Sequence, residues 1–310
     1  MLSSLKKIWV LAIVFMALAA ICLFWKEGEL RDKLRGLLVF AHGEDVISQA
    51  STIRLKFPSN NVTLYKDKGY WRVLEANNYY ADTKAVNLLH QEIKTASRGA
   101  KTDKPIEDVL WAELSLSDKQ DKLLETVQIS DSPSTQEHYV RYSDDGDIYT
   151  SSWKIKLPPM PNAWTYQPLL TLNGVDINSI QKEDKIISRQ EEGAVFYDSA
   201  TNLPYQNNEY LKVFTCLSNL NYDSVLSSQE FDVEKYRNIR TFNLTTFDGL
   251  KMTFDVYTDY NQYWLQIGLG TTSLPRQEVD SYVATHRFLY DGWWFGLPEE
   301  VGRILFSFTL

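Results

Sequence analysis

The hydrophobic pattern changes its period along the chain. From Ile8 to Trp25 eighteen residues pass without a charge. As a helix this run is about 27 Å long, close to the hydrocarbon thickness of a bilayer. Lys6 and Lys7 stand directly before it and favour a cytoplasmic tail over residues 1–7, with everything after the span outside. Lys26, Arg31, Lys33 and Arg35 on the far side weigh the other way. Ala17-Leu18-Ala19 has the small-x-small form of a signal-peptidase site, but the apolar run continues through Ile21 to Trp25, so an uncleaved anchor over 8–25 is expected. Leu30, Leu34, Leu37 and Leu38 keep helical spacing and predict a juxtamembrane helix over 26–44, which Gly43 breaks.

Period two then takes over. Thr52–Phe57, Val62–Lys66 and Tyr70–Glu75 alternate apolar with polar residues around turns at Pro58-Ser59-Asn60 and Asp67-Lys68-Gly69, predicting a three-stranded meander. Asp82 is placed to cap a helix whose apolar stripe is Val86, Leu89, Ile93 and Ala96, ended by Gly99. Strands are predicted at Leu110–Leu116, Leu123–Ser130, Tyr139–Tyr142 and Ile148–Trp153. The cluster Pro158-Pro159-Met160-Pro161 interrupts them, a short apolar helix or turn covers Trp164–Leu172, and Asp176–Gln181 is extended. Glu209–Leu220 reads as a helix with Leu211, Phe214, Cys216 and Leu217 turned inward. A second meander follows at Thr241–Phe247, Leu250–Tyr257 and Gln262–Leu269, then a helix from Pro275 to about Leu289, an aromatic stretch at Trp293–Pro298, and an apolar helix over Glu299–Phe306. Meander plus helix thus occurs twice, which suggests a degenerate duplication. The expected fold class is α+β: an N-terminal transmembrane helix, then mostly antiparallel sheets in two meander-plus-helix modules, 45–205 and 206–310.

Charge narrows the partners. The net charge of −8 becomes more negative for the exported part once Lys6 and Lys7 stay behind the membrane, which argues against nucleic acid and anionic headgroups. The chain has two cysteines. Cys22 falls in the span, where bulky Ile21 spoils a lipobox, so Cys216 has no intramolecular disulfide partner outside it; this suits a bacterial periplasm. Asn61-Val62-Thr63 and Asn243-Leu244-Thr245 match a glycosylation sequon as chance tripeptides do. The 18 Tyr, 14 Phe and 9 Trp fall mostly in predicted strands and are explained first by packing.

Chemistry is harder to find. His42, His90, His138 and His286 lie far apart and no paired Cys-x-x-Cys exists, so no metal and no cofactor is expected. Asp144-Asp145-Gly146-Asp147 lacks calcium-loop spacing and reads as a hairpin turn. Ser151-Ser152-Trp153-Lys154 matches Ser-x-x-Lys without its partner motifs. A Cys216–His286 pair is outweighed by the position of Cys216 on an apolar helical stripe. Gly268-Leu269-Gly270 lacks the rest of a phosphate loop and reads as a strand end. Glu191-Glu192 and Glu299-Glu300 read as solvated surface, since only an unseen cleft would pair such acids for glycoside hydrolysis. The residues most worth a functional assignment are Trp293, Trp294 and Phe295. Neighbouring side chains on an extended segment point to opposite faces, so burying one tryptophan tends to expose the other, and an exposed tryptophan is a partner-binding anchor or a sugar platform. Burial of both between sheet and last helix is the structural reading and takes precedence; the partner-binding role of Trp293, Trp294 and Phe295 is the functional one set against it.

Several segments together resemble one family. Trp71 with Tyr80-Ala81-Asp82 opening a helix, Trp164 and Leu169-Leu170 leading into Val175–Ile180, and Trp293–Pro298 resemble the bacterial domain of unknown function 4340 family, over nearly all of 45–310. The aromatic ending departs from the plainer endings expected there. The resemblance implies a single-pass protein of the bacterial inner membrane, N-terminus in and C-terminal domain in the periplasm, associated with ABC transporter systems similar to the gliding-motility auxiliary type; it supplies no catalytic residues. The expected function is that of a non-enzymatic accessory subunit whose partners are integral membrane proteins of a transporter-like complex. The alternative is a cell-envelope polysaccharide-binding or polysaccharide-processing protein.

Overall fold

The computed structural model describes residues 37–102, 110–131, 138–142, 146–236, 238–259 and 261–310. In chain order the strands are β1 (Thr52–Lys56), β2 (Asn61–Asp67), β3 (Tyr70–Val73), β4 (Tyr79–Tyr80), β5 (Arg98–Lys101), β6 (Leu110–Ser117), β7 (Leu123–Asp131), β8 (His138–Arg141) and β9 (Ile148–Ser151). They continue as β10 (Ile177–Lys182), β11 (Lys185–Ser188), β12 (Tyr197–Asp198), β13 (Ser224–Ser227), β14 (Asn238–Thr246), β15 (Leu250–Thr258), β16 (Tyr263–Thr271) and β17 (Trp293–Leu297). The α-helices are short: α1 (Gly43–Gln49), α2 (Thr83–Thr95), α3 (Glu209–Leu217), α4 (Gln277–His286) and α5 (Glu299–Ser307).

The described residues fall into two compact units, 37–61 with Lys84–Pro159, and Val62–Thr83 with Met160–Leu310. In the first, strands run in the order β1-β6-β7-β8-β9-β5, every pair antiparallel. Their inward residues include Ile53, Leu55, Leu114, Val127 and Val140, each at most 1% exposed. The predicted stripe of α2 is buried as spaced, with Val86, Leu89, Ile93 and Ala96 at 2% exposure or less. Glu92 on the same helix is also buried, and its carboxylate accepts a bond from the Lys154 backbone N–H at 2.9 Å.

The second unit carries an eight-stranded antiparallel sheet, β12-β11-β10-β14-β15-β16-β17-β13, and a hairpin of β2, β3 and β4. One face of the sheet is aliphatic and aromatic: Phe242, Phe254 and Ile267 sit on one rung and Leu244, Met252 and Leu269 on the next, all buried. Each contributes about 1.5–3 kcal/mol by leaving water. Helix α5 packs on β15 and β16, and Phe308 behind it meets Phe242 edge-on at 5.8 Å. The sheet's β13 edge is closed by side-chain amides. Asn77, Asn162 and Gln167 donate to the backbone carbonyls of Val225, Asp223 and Tyr222, which removes the acceptors an incoming strand would use.

Two expectations are corrected here. The described residues are mostly antiparallel sheet with few helices, not an α+β arrangement of two meander-plus-helix modules. The first predicted meander keeps its strands, with β2 turning onto β3 from Leu64↔Val73 to Asp67↔Tyr70, but β1 also pairs along its length with β6, from Thr52↔Ser117 to Lys56↔Glu113, a partner that was not predicted. Alternation tells which face a strand residue takes but not which strand it pairs with. Gly43 starts a helix instead of breaking one, because a Cβ there would stand 2.3 Å from the Ile93 carbonyl oxygen; the glycine serves close approach to α2. The predicted anchor over 8–25 lies outside the described residues, as do Asp144 and Asp145. Among the described residues no helix is long and apolar enough to cross a membrane.

Candidate functional site

β17 lies between β16 and β13, and both of its faces are covered. Trp293 and Phe295 point to one side. The Tyr79 ring meets them at 5.0 and 5.6 Å, and Tyr222 meets Phe295 at 5.2 Å. Three buried phenols close this side, each with its hydroxyl donating: Tyr79 to the Leu289 carbonyl at 2.9 Å, Tyr222 to Thr165 Oγ1 at 2.6 Å and Tyr290 to the Leu169 carbonyl at 3.0 Å. Burial pushes all three hydroxyls well above the usual tyrosine range.

Trp294 points to the other side. Phe231 stacks on it at 4.9 Å, with Tyr236 stacked on Phe231 at 5.0 Å and Trp264 and Tyr257 edge-on to Phe231 at 5.5 and 5.6 Å. Gly296 has no Cβ, which would meet Ser224 Oγ at 2.3 Å and the Trp264 ring at 3.4 Å. Trp264 is 4% exposed and its indole N–H has no hydrogen-bond partner among the described residues. Trp293, Trp294 and Phe295 are therefore 9%, 8% and 0% exposed. Of the two readings, burial of both tryptophans holds: alternation sends the rings to opposite faces, but the 228–236 segment covers the second face as the phenols cover the first.

The part of that second face which stays open lies on the neighbouring strands. Antiparallel partners share a face, so the registers define a polar ladder. One rung runs Tyr197, Ser188, Ser179, Thr245, Lys251, Gly270; the next runs Ile186, Gln181, Asn243, Thr253, Gly268. A third holds Thr241, Asp255 and Gln266, and beyond it come Tyr257 and Trp264. All of the first three rungs are exposed or half-buried. With strands about 4.8 Å apart, the six-strand rung spans roughly 24 Å. Thr253 Oγ1 donates to Asn243 Oδ1 at 2.7 Å and Thr241 Oγ1 to Asp255 Oδ1 at 2.5 Å.

The other candidates take structural places. Ser151 Oγ donates to the Ser97 carbonyl and Ser152 Oγ accepts from the Ser97 N–H, joining β9 to the segment before β5. On α3 the buried stripe is Val213, Phe214 and Leu217, while Leu211 is exposed and Cys216 half-buried. Burial first, and then Glu300, push the Cys216 thiol up, away from the reactive thiolate. His286 bonds Thr285 and Tyr282 within its own helix and stacks on the Tyr282 ring. Glu299 and Glu300 occupy the first turn of α5, where the helix dipole favours acids. The buried cations hold backbone: Arg189 donates to the carbonyls of Ile177, Ala194 and Gly174, and Lys182 to that of Phe308. In the first unit a small cleft between Phe57, Leu110, Trp153 and Leu157 contains His138, whose Nδ1 lies 3.0 Å from the Ser130 carbonyl and so carries the proton. Among the described residues no group of three His, Cys, Asp or Glu side chains could hold a metal ion.

The ladder went unread in the sequence, although a signal was there. The polar phase of β14 to β16 is Thr241, Asn243, Thr245, Lys251, Thr253, Asp255 and Gln266, mostly neutral, whereas the polar phase of β1 carries Arg54 and Lys56. Short neutral side chains on an open sheet face mark it as different from a merely solvated one.

A family described as Domain of unknown function (DUF4340) matches residues 71–239, more than half of the chain. No curated protein and no solved structure matches it.

Proposed function

We propose, from the premise that this chain belongs to the DUF4340 family of domains of unknown function, that it is a non-enzymatic accessory subunit of a transporter-like assembly in the bacterial envelope. Residues 8–25 anchor it as a single span and the two units work on the periplasmic side. The observation that carries this reading is the outer face of the eight-stranded sheet, where three successive rungs of hydroxyls and amides are exposed or half-buried. Such a surface suits holding and not converting. The lysines before an uncharged run of eighteen residues support the tether and its orientation.

The test has two parts. A reporter active only outside the cytoplasm, fused after Leu310, is expected to be active, with the full chain remaining in the membrane at high salt. Purification in mild detergent is then expected to bring down integral membrane proteins of a transporter. A soluble product starting near Ala20 removes the tether, and recovery of the chain without a membrane partner removes the accessory role.

A further inference from the structure

We infer that the outer face of the eight-stranded sheet is a binding site for a neutral glycan chain laid across the strands. This goes beyond the accessory role, resting on the same open face but not on any transporter.

The side chains decide the class of ligand. Ser188, Ser179 and Thr245 on one rung and Asn243 and Thr253 on the next offer donors and acceptors on short stems, which lose less rotamer entropy than long ones when a ligand arrives, and Gln181 adds a longer amide beside Asn243. The bond from Thr253 to Asn243 Oδ1 fixes the Asn243 amide so that its NH2 group is the donor on offer. The ladder is electrically balanced, with Lys251 on one rung and Asp255 two rungs away, in a chain of net charge −8. A polyanion meets a repelling protein and a polycation meets no local acidic field, so complementarity favours an uncharged polyhydroxylated chain.

The two ends fit the same ligand. At one end Gly268 and Gly270 lack side chains, with nothing within 4 Å of a Cβ at Gly270 and only Thr253 Cβ, at 3.6 Å, near one at Gly268. A ring can lie there directly against the backbone. At the other end Tyr197, 40% exposed, shares the rung of Ser188 and offers an aromatic face to sugar C–H groups. A protein partner would look for a central apolar anchor, and the middle of the ladder has none: Ile186 stands toward its rim.

Titration of the full-length protein, in a detergent without a sugar headgroup, with the hexasaccharides of β-1,4-glucose, α-1,4-glucose and β-1,4-N-acetylglucosamine tests the site by calorimetry and tyrosine fluorescence. At least one is expected to bind saturably. Tyr197→Ala and Gln181→Ala, both at exposed positions, are expected to weaken that binding about tenfold, the loss of one good contact, while Lys56→Ala on the first unit leaves it unchanged. Asn243→Ala is a third variant, read only with an unchanged denaturation midpoint. The inference is overturned if none of the three probes binds, or if Tyr197→Ala and Gln181→Ala bind as well as the unaltered protein. It is also overturned if these variants instead lose a co-purifying membrane protein, which makes the face a protein-docking surface. Loss of glycan binding leaves the reporter and co-purification results untouched, so the two readings fail separately.

Discussion

Gly302 on α5 rests directly on Tyr263 of β16: a Cβ at Gly302 would stand 2.3 Å from both Cβ and Cγ of the tyrosine. Two effects oppose each other on replacing it with alanine. The helix gains about 1 kcal/mol of propensity, and overpacking costs about 1–3 kcal/mol because the atoms in the way are the fixed base of the side chain. Gly302→Ala is therefore expected to lower stability, by up to about 2 kcal/mol, in urea denaturation. The double variant with Tyr263→Gly, which removes both obstructing atoms, is expected to show coupling, costing less than the sum of the single changes; strict additivity would mean the contact does not limit the packing.

Trp293 and Trp294 take opposite faces of one strand and are both core. Each Trp→Ala change is expected to cost about 3–5 kcal/mol, seen as a fall in the chemical denaturation midpoint. Any loss of partner association in these variants should follow the unfolded fraction and vanish where the protein is folded. A variant that is fully folded yet binds no partner would restore the anchor role.

The phenols of Tyr79, Tyr222 and Tyr290 make stability fall in alkali. Their folded hydroxyls titrate above the unfolded value of about 10. Above that pH the unfolded chain has released protons that the folded one keeps, so stability declines as pH rises, by about 1.4 kcal/mol per pH unit for each fully engaged group. Below pH 10 their contribution is complete and flat. Urea midpoints measured from pH 8 to 11 should drop in the upper part of the range, and Tyr222→Phe should flatten the slope by one group's share.

Asn77 sits at φ 53° while its amide donates to the Val225 carbonyl at 2.7 Å. Asn77→Gly keeps the backbone conformation and loses the bond, at a cost of about 1 kcal/mol. Asn77→Ala loses both and is expected to cost about 1 kcal/mol more. Equal effects in thermal denaturation would show that the left-handed backbone carries no penalty here.

How far the pattern could be read depended on how many faces of an element were buried. β14, β15 and β16 were found within a few residues because one phase is Phe242, Leu244, Met252, Phe254 and the other is polar. Helix α2 was found because its stripe is narrow. β17 gives no alternation, since Trp293-Trp294-Phe295 is apolar on both sides, and the ring that covers Trp294 comes from Phe231, in a segment without periodicity. β13 (Ser224–Ser227) was missed because its four residues show no apolar phase. Nor could the pairing of β1 with β6 be read, because pairing partners depend on distant sequence. The polar ladder was visible only as the discarded half of each alternating strand.

The division of the second unit into Val62–Thr83 and Met160–Leu310 sets the order in which it can be assembled as the chain emerges from the N-terminus. Tyr79 is made and released long before Trp293 and Phe295, the rings it is buried against, so the β2–β4 hairpin waits with an aromatic face uncovered until the last strand arrives. Contacts this distant in sequence make for slow closure and an interval of aggregation risk. A fragment ending before β17, including one cut to the family match at 71–239, lacks the strand that buries Tyr79. Biochemical work on this unit therefore has to start from a chain that reaches Leu297 or beyond.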